Sequence, residues 1–165
     1  MAGTVTVTIT NVPSAQFPEF ASRKGVKTAR GSKIVTWACV GDSSNGTVPD
    51  TSTDAGMAAN GNTITEEITG MFLHKALNIP ISGNPTANAG IAFKRVYSGL
   101  TAANAPDLLG GLGADLIQNT VARECPASIN GNVAYQPVDG AITLVVSDQA
   151  VASAQWQVKG FFVEF

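Results

Sequence analysis

The alternation Thr4-Val5-Thr6-Val7-Thr8-Ile9-Thr10 constrains the fold of this chain more than any other feature. Successive side chains of an extended strand point to opposite faces. Val5, Val7 and Ile9 therefore fall on one side and the four threonines on the other. Period two in β-branched residues predicts a half-buried strand, which Asn11-Val12-Pro13-Ser14 ends. Lys33 to Val40 predicts a second strand, with Ile34, Thr36, Ala38 and Val40 on one side and Val35, Trp37 and Cys39 on the other. Its mixture of apolar residues on both sides implies burial on both. Thr63 to Ile68 and Ile91 to Tyr97 alternate again. Ala141 to Ser147 and Gln155 to Phe165 are the last strands, with Trp156, Val158, Phe161 and Val163 as core contributors. Met71 to Leu77 is apolar and reads equally as strand or short helix.

Six or seven short strands, turn residues between them and no long helical pattern predict an all-β fold, an antiparallel β-sandwich or jelly roll. At 165 residues the chain is one domain. A compact chain of this size buries about 68–70% of its unfolded surface, enough for a core without metal or disulfide staples. Two stretches read as extended loops or arms. Residues 13–32 hold two prolines, four basic residues and two glycines, and residues 41–62 are dominated by Gly, Ser, Asn, Asp and Thr. Loops of that length are often binding segments.

Charged residues make up only 13% of the chain, against about 25% in ordinary domains. Small polar residues take their place, and such a weakly hydrated surface suits permanent protein neighbours. The net charge of −2 gives no footprint for nucleic acid. Arg23, Lys24, Lys27, Arg30 and Lys33 form the only basic stretch, without aromatics interleaved to stack on bases. It reads as a solvated arm or a patch for an acidic protein surface. No apolar run reaches the 18 or so residues that span a bilayer. The N-terminus has no basic region followed by an apolar core, so a soluble protein made in a cytoplasm is expected. Cys39 sits in an apolar run and Cys125 in a polar, turn-like segment. Two isolated cysteines are no disulfide framework, and whether they meet is left open.

The motif most suggestive of chemistry is Gly41-Asp42-Ser43, following a strand. It is similar to the nucleophile block of Gly-Asp-Ser esterases, whose serine needs an Asp and a His from near the C-terminus. Here the only histidine is His74, and the ordinary reading of Gly-Asp-Ser-Ser-Asn-Gly is a turn. Zinc would need three or four ligands, and His74, Cys39 and Cys125 show no ligand spacing. Asp50 and Asp54 fall far short of a calcium cage. Gly110, Gly111 and Gly113 lack the Lys or helix of a phosphate loop and are expected to permit positive φ in a tight connection. Glu66 and Glu67 are adjacent and, on a strand, face opposite ways. The ending Phe161-Phe162-Val163-Glu164-Phe165 places aromatics on both faces of the last strand. One face fills the core, and the other needs cover from elsewhere in the chain or from another subunit, in a dimer or trimer.

Several blocks, taken in order, carry a family resemblance. They are Met1 to Thr8, Trp37 to Gly46, Asp107-Leu108-Leu109-Gly110-Gly111-Leu112-Gly113-Ala114-Asp115, Pro137 to Leu144 and Trp156 to Phe165. In this order the chain resembles small phage and prophage virion structural proteins encoded near capsid genes. It departs from them in a longer 13–32 stretch and a longer 78–90 segment. The resemblance implies a β-sandwich or jelly-roll capsid decoration or cement protein on the virion surface. Such a protein binds neighbouring major capsid subunits and has no catalytic residues or cofactor. The expected contact segments are 13–32 and 41–62, and the expected contact residues are Phe17, Phe20, Arg30, Trp37, Phe162 and Phe165. A tail, head-completion or fibre-associated part is the alternative in the same setting. A Ser43-dependent esterase, and a sugar-binding sandwich stacking Trp37 and Trp156 on sugars, are the alternatives from other classes.

Overall fold

The computed structural model describes residues 1–12, 31–97 and 100–164. The first predicted strand is β1, Thr4–Val12, and it pairs antiparallel with β2, Gly31–Val40, in an unbroken register from Thr4↔Val40 to Val12↔Ser32. The last strand, labelled β11 (Gln155–Glu164), lies on the other side of β2, placing Trp156 opposite Cys39 and Val158 opposite Trp37. β4, Phe72–Ser82, follows, and β6, Arg123–Pro126, closes the row, giving the order β1-β2-β11-β4-β6. The two-residue β9, Gln136–Pro137, pairs with the start of β4. A second antiparallel sheet has the order β3-β10-β5, from Thr51–Ser52, Ile142–Ser147 and Gly90–Arg95. A separate hairpin joins β7, Ser128–Ile129, to β8, Asn132–Val133. All these pairings are antiparallel and the protein is all-β, as the alternating segments predict.

One core cluster draws on both main sheets. From the large sheet come Val7, Val35, Trp37, Cys39, Leu73, Trp156, Val158 and Phe162; from the small one come Ile91, Phe93, Ile142 and Leu144. The Trp37 and Phe93 rings meet at 4.9 Å between centroids, joining the sheets through an aromatic pair.

β4 resolves the ambiguous apolar run. Two irregularities interrupt its pairing with β11, between Gln155 and Trp156 and between Phe161 and Phe162. On β4 they skip Ile81 and His74 as extra residues. An extra residue reverses which face the following side chains take. Leu73 is accordingly buried on one side of His74, and Ala76 and Asn78 on the other. No single period runs through such a segment, which is why its sequence reads as neither element.

Thr63 to Ile68 is a helix rather than a strand. In α1, Ile64–Ile68, the two isoleucines stand four apart on one face and are fully buried. Thr63 caps it: its hydroxyl accepts from the Glu66 amide, and the Glu66 carboxylate accepts from the Thr63 amide at 2.7 Å. This reciprocal box is the Thr-x-x-Glu signature of a helix start. Glu67 bonds to Asn60, Asn62 and Lys33.

The turn at 108–116 behaves as expected at Gly110 and Gly111, with φ of 55° and 84°. Gly113 is needed for a different reason. A β-carbon there would sit 2.2 Å from the Ile91 carbonyl oxygen, so only glycine allows that approach.

Candidate protein-contact surface

Two of the expected contact residues belong to the core. Trp37 and Phe162 have no exposed surface. Trp37 shares the inner face of β2 with Val35 and Cys39, rests on Phe93, and donates its indole N–H to the Thr51 carbonyl at 3.2 Å. Phe162 lies between Lys33 and Leu73 on the inner face of β11. The adjacent Phe161, expected in the core, is half-buried on the opposite face, with the Lys75 ammonium 5.2 Å from its ring centre. Trp156 is buried like Trp37, so neither indole presents a face to a sugar. Phe17, Phe20, Arg30 and Phe165 lie outside the described residues, as does the stretch 13–30. Residues 31 and 32, counted with that arm, open β2.

The 41–62 stretch is mostly loop, tied down in its middle. Thr51 and Ser52 pair with Leu144 and Thr143. Thr53 is fully buried, and its hydroxyl accepts from the Ile142 amide at 3.1 Å. At Thr51 and Thr53 the segment is tied to the core, because the Thr51 carbonyl and the Thr53 hydroxyl satisfy buried donors that would otherwise be left unpaired.

The Gly-Asp-Ser turn caps one end of the large sheet. Asp42 accepts from the Ser44 and Asn45 amides at 2.7 and 3.2 Å, and the bonds from Ser44 hold its carboxyl below the usual range. The Ser43 hydroxyl faces the main chain of Met1. His74 sits beside Phe161 and Phe162, whereas this turn follows Val40, the partner of Gln155. Six residues of strand separate the two places, about 20 Å at roughly 3.3 Å per residue. The structure does not bring Ser43 and His74 together.

Among the described residues no three His, Cys, Asp or Glu side chains gather as a metal site, and no helix is long and apolar enough to cross a membrane. Cys39 and Cys125 are both buried and free, on β2 and β6, with β11 and β4 between them. Three inter-strand steps amount to about 14 Å, twice the reach of a disulfide. Burial pushes the Cys39 thiol up to about 12 and, with help from the Asp107 carboxylate, the Cys125 thiol up to about 11.

Elsewhere, three exposed apolar side chains stand together on and just after the β7–β8 hairpin. Ile129 is 52% exposed, Val133 73% and Tyr135 40%. The turn is Asn130-Gly131, with φ of 49° and 80°, the two positive values that a type I′ turn requires. Its root is held firmly: Ser128 donates to the Leu108 carbonyl at 3.1 Å and Ala127 to the His74 carbonyl at 2.9 Å. Tyr135 stacks on His74 at 5.2 Å. From Cys125 to Val138 no residue is charged. Asn-Gly between apolar residues was the available sequence signal for this hairpin. Compared with protein-family models, with curated proteins and with solved structures, the chain matches none.

Proposed function

We propose that this chain is a structural protein of a phage particle that works by protein contact, as a capsid decoration protein seated on neighbouring major capsid subunits. The observation that carries the reading is the β7–β8 hairpin. It is a rigidly rooted, uncharged projection that leaves Ile129, Val133 and Tyr135 to solvent. An isolated monomer gains nothing by exposing such side chains, whereas a protein partner buries them. The low overall charge and the resemblance to virion structural proteins support the same reading. Function in this setting is mechanical: many equivalent contacts across a shell add up to an avidity that no single contact supplies.

The test is the copy number of the protein in purified particles, measured against the major capsid protein by quantitative gel densitometry. Decoration predicts a simple stoichiometric ratio. A few copies per particle would move the protein to the tail or a vertex, and absence from particles would overturn the reading. A double variant, Ile129→Asp with Val133→Asp, alters only exposed positions and is expected to lose shell binding while keeping its circular dichroism spectrum. Undiminished binding would exclude the hairpin as the contact.

A further inference from the structure

We infer that β1 is a self-pairing edge, and that two copies of this chain join antiparallel through it into one continuous sheet. The edge of a sheet carries unpaired N–H and C=O groups, and proteins that stay monomeric blunt it with charge, proline, bulges or shortness. The other edges here are blunted. β6 carries Arg123, Glu124 and Pro126; β9 ends in Pro137; β3 has two residues; β5 ends in Lys94 and Arg95. β1 has none of these devices. It is nine residues long, uncharged, free of proline, and unbroken in its register with β2. Among the described residues no strand lies on its other side.

The residues of β1 choose a second copy as the occupant. Opposite residues of an antiparallel pair share a face, so a matched seam requires paired positions whose numbers sum to an even value. A twofold axis through Val7 sets Val7 against itself, Val5 against Ile9, Thr6 against Thr8 and Thr4 against Thr10. Every apolar residue of the inner face then meets an apolar residue, and every outer threonine meets a threonine. Thr–Thr and β-branched cross-strand pairs are favourable ones. Thr4, Thr6, Thr8 and Thr10 are all exposed and available for this. Gly56 packs so closely on Val7 that a β-carbon there would lie 2.9 Å from the Val7 carbonyl oxygen and 2.4 Å from the Ile64 side chain. The pairing is a property of the chain alone and holds whether or not it sits on a capsid.

Sedimentation equilibrium of the full chain over a concentration series tests this. A monomer–dimer equilibrium is expected. Thr6→Lys with Thr8→Lys sets lysine opposite lysine twice across the axis, and is expected to weaken association by about hundredfold or more. Both positions are exposed, so the fold should survive, as circular dichroism will report. Independently, a Thr6→Cys chain mixed with a Thr8→Cys chain should form a disulfide-linked pair under mild oxidation, since opposed α-carbons lie within bridging distance. The native cysteines, both buried, do not compete. A monomer at every concentration would overturn the inference. So would a dimer unaffected by the lysines, or cysteines that fail to link.

Discussion

Asp107 should be among the most costly single side chains to remove, although it lies outside the apolar core. Its carboxylate accepts from three amides: Phe93 at 3.1 Å and Leu109 at 3.0 Å through Oδ1, and Gly111 at 3.0 Å through Oδ2. It thereby clamps β5 to the glycine turn. Asp107→Ala leaves all three donors without that partner. Gly111 is exposed, so water replaces its bond at little net cost. Phe93 and Leu109 have no exposed surface, so their amides lose a charge-assisted bond that water cannot restore. Such bonds contribute about 1.5–3 kcal/mol each, and two of them give a loss of about 3 kcal/mol or more. For a chain of this size that lowers Tm by about 10 °C. Urea titration followed by tryptophan fluorescence will measure it, because Trp37 and Trp156 are both buried and will report unfolding. Asp107→Asn keeps one carbonyl oxygen for the two buried amides and should lose about 1 kcal/mol. Because the turn also supports Ser128 through the Leu108 carbonyl, Asp107→Ala should speed amide exchange at the root of the hairpin. A destabilisation below about 1 kcal/mol for Asp107→Ala would refute this accounting of the clamp.

Asn78 faces the core opposite Val158, fully buried, and neither its amide nitrogen nor its oxygen finds a partner among the described residues. Asn78→Leu removes that unmatched polarity and should stabilise the fold by about 1–3 kcal/mol, read as a higher urea midpoint; a lower midpoint would contradict it. Hydrogen bonds from Asn60, Lys33 and Asn62 hold Glu67 at about 2, below its ordinary 4.5. A depressed folded pKa adds stability above the unfolded value, and that stability is lost as pH falls from about 4.5 towards 2. Glu67→Gln should therefore flatten the acid limb of a stability–pH curve across that window, and an unchanged slope would deny Glu67 this role. Cys39 and Cys125, with thiols raised to about 12 and 11, should resist iodoacetamide in the native state near neutral pH and both react in denaturant. Native labelling detected by mass spectrometry would show that one of them is accessible.

Much of the architecture was legible because it is local. β1 and β5 announce themselves through alternation, and β2, β10 and β11 through short β-branched and aromatic runs between turn residues. The need for glycine at 110 and 111 follows from the turn itself. Three features required the folded chain. The bulges at His74 and Ile81 are set by the pairing of β4 with β11, a partner some eighty positions away in the chain, and they erase the period in the sequence of β4. The helix α1 could be recognised from Thr63 and Glu66, yet its two isoleucines are too few to outweigh an apparent alternation. Which face of an amphipathic strand meets the core is decided by its neighbours. Trp37 and Phe162 are as apolar as contact residues should be, but Phe93, Leu73 and the second sheet occupy the side to which they point. The same logic governs the surface. That β1 is an edge, and that Ile129 and Val133 stand clear on a hairpin, depends on strand order. The sequence determined the pieces and their faces, because backbone sterics and burial act within a few residues. Tertiary structure alone decided which faces remained for a partner, because that depends on what the rest of the chain covers.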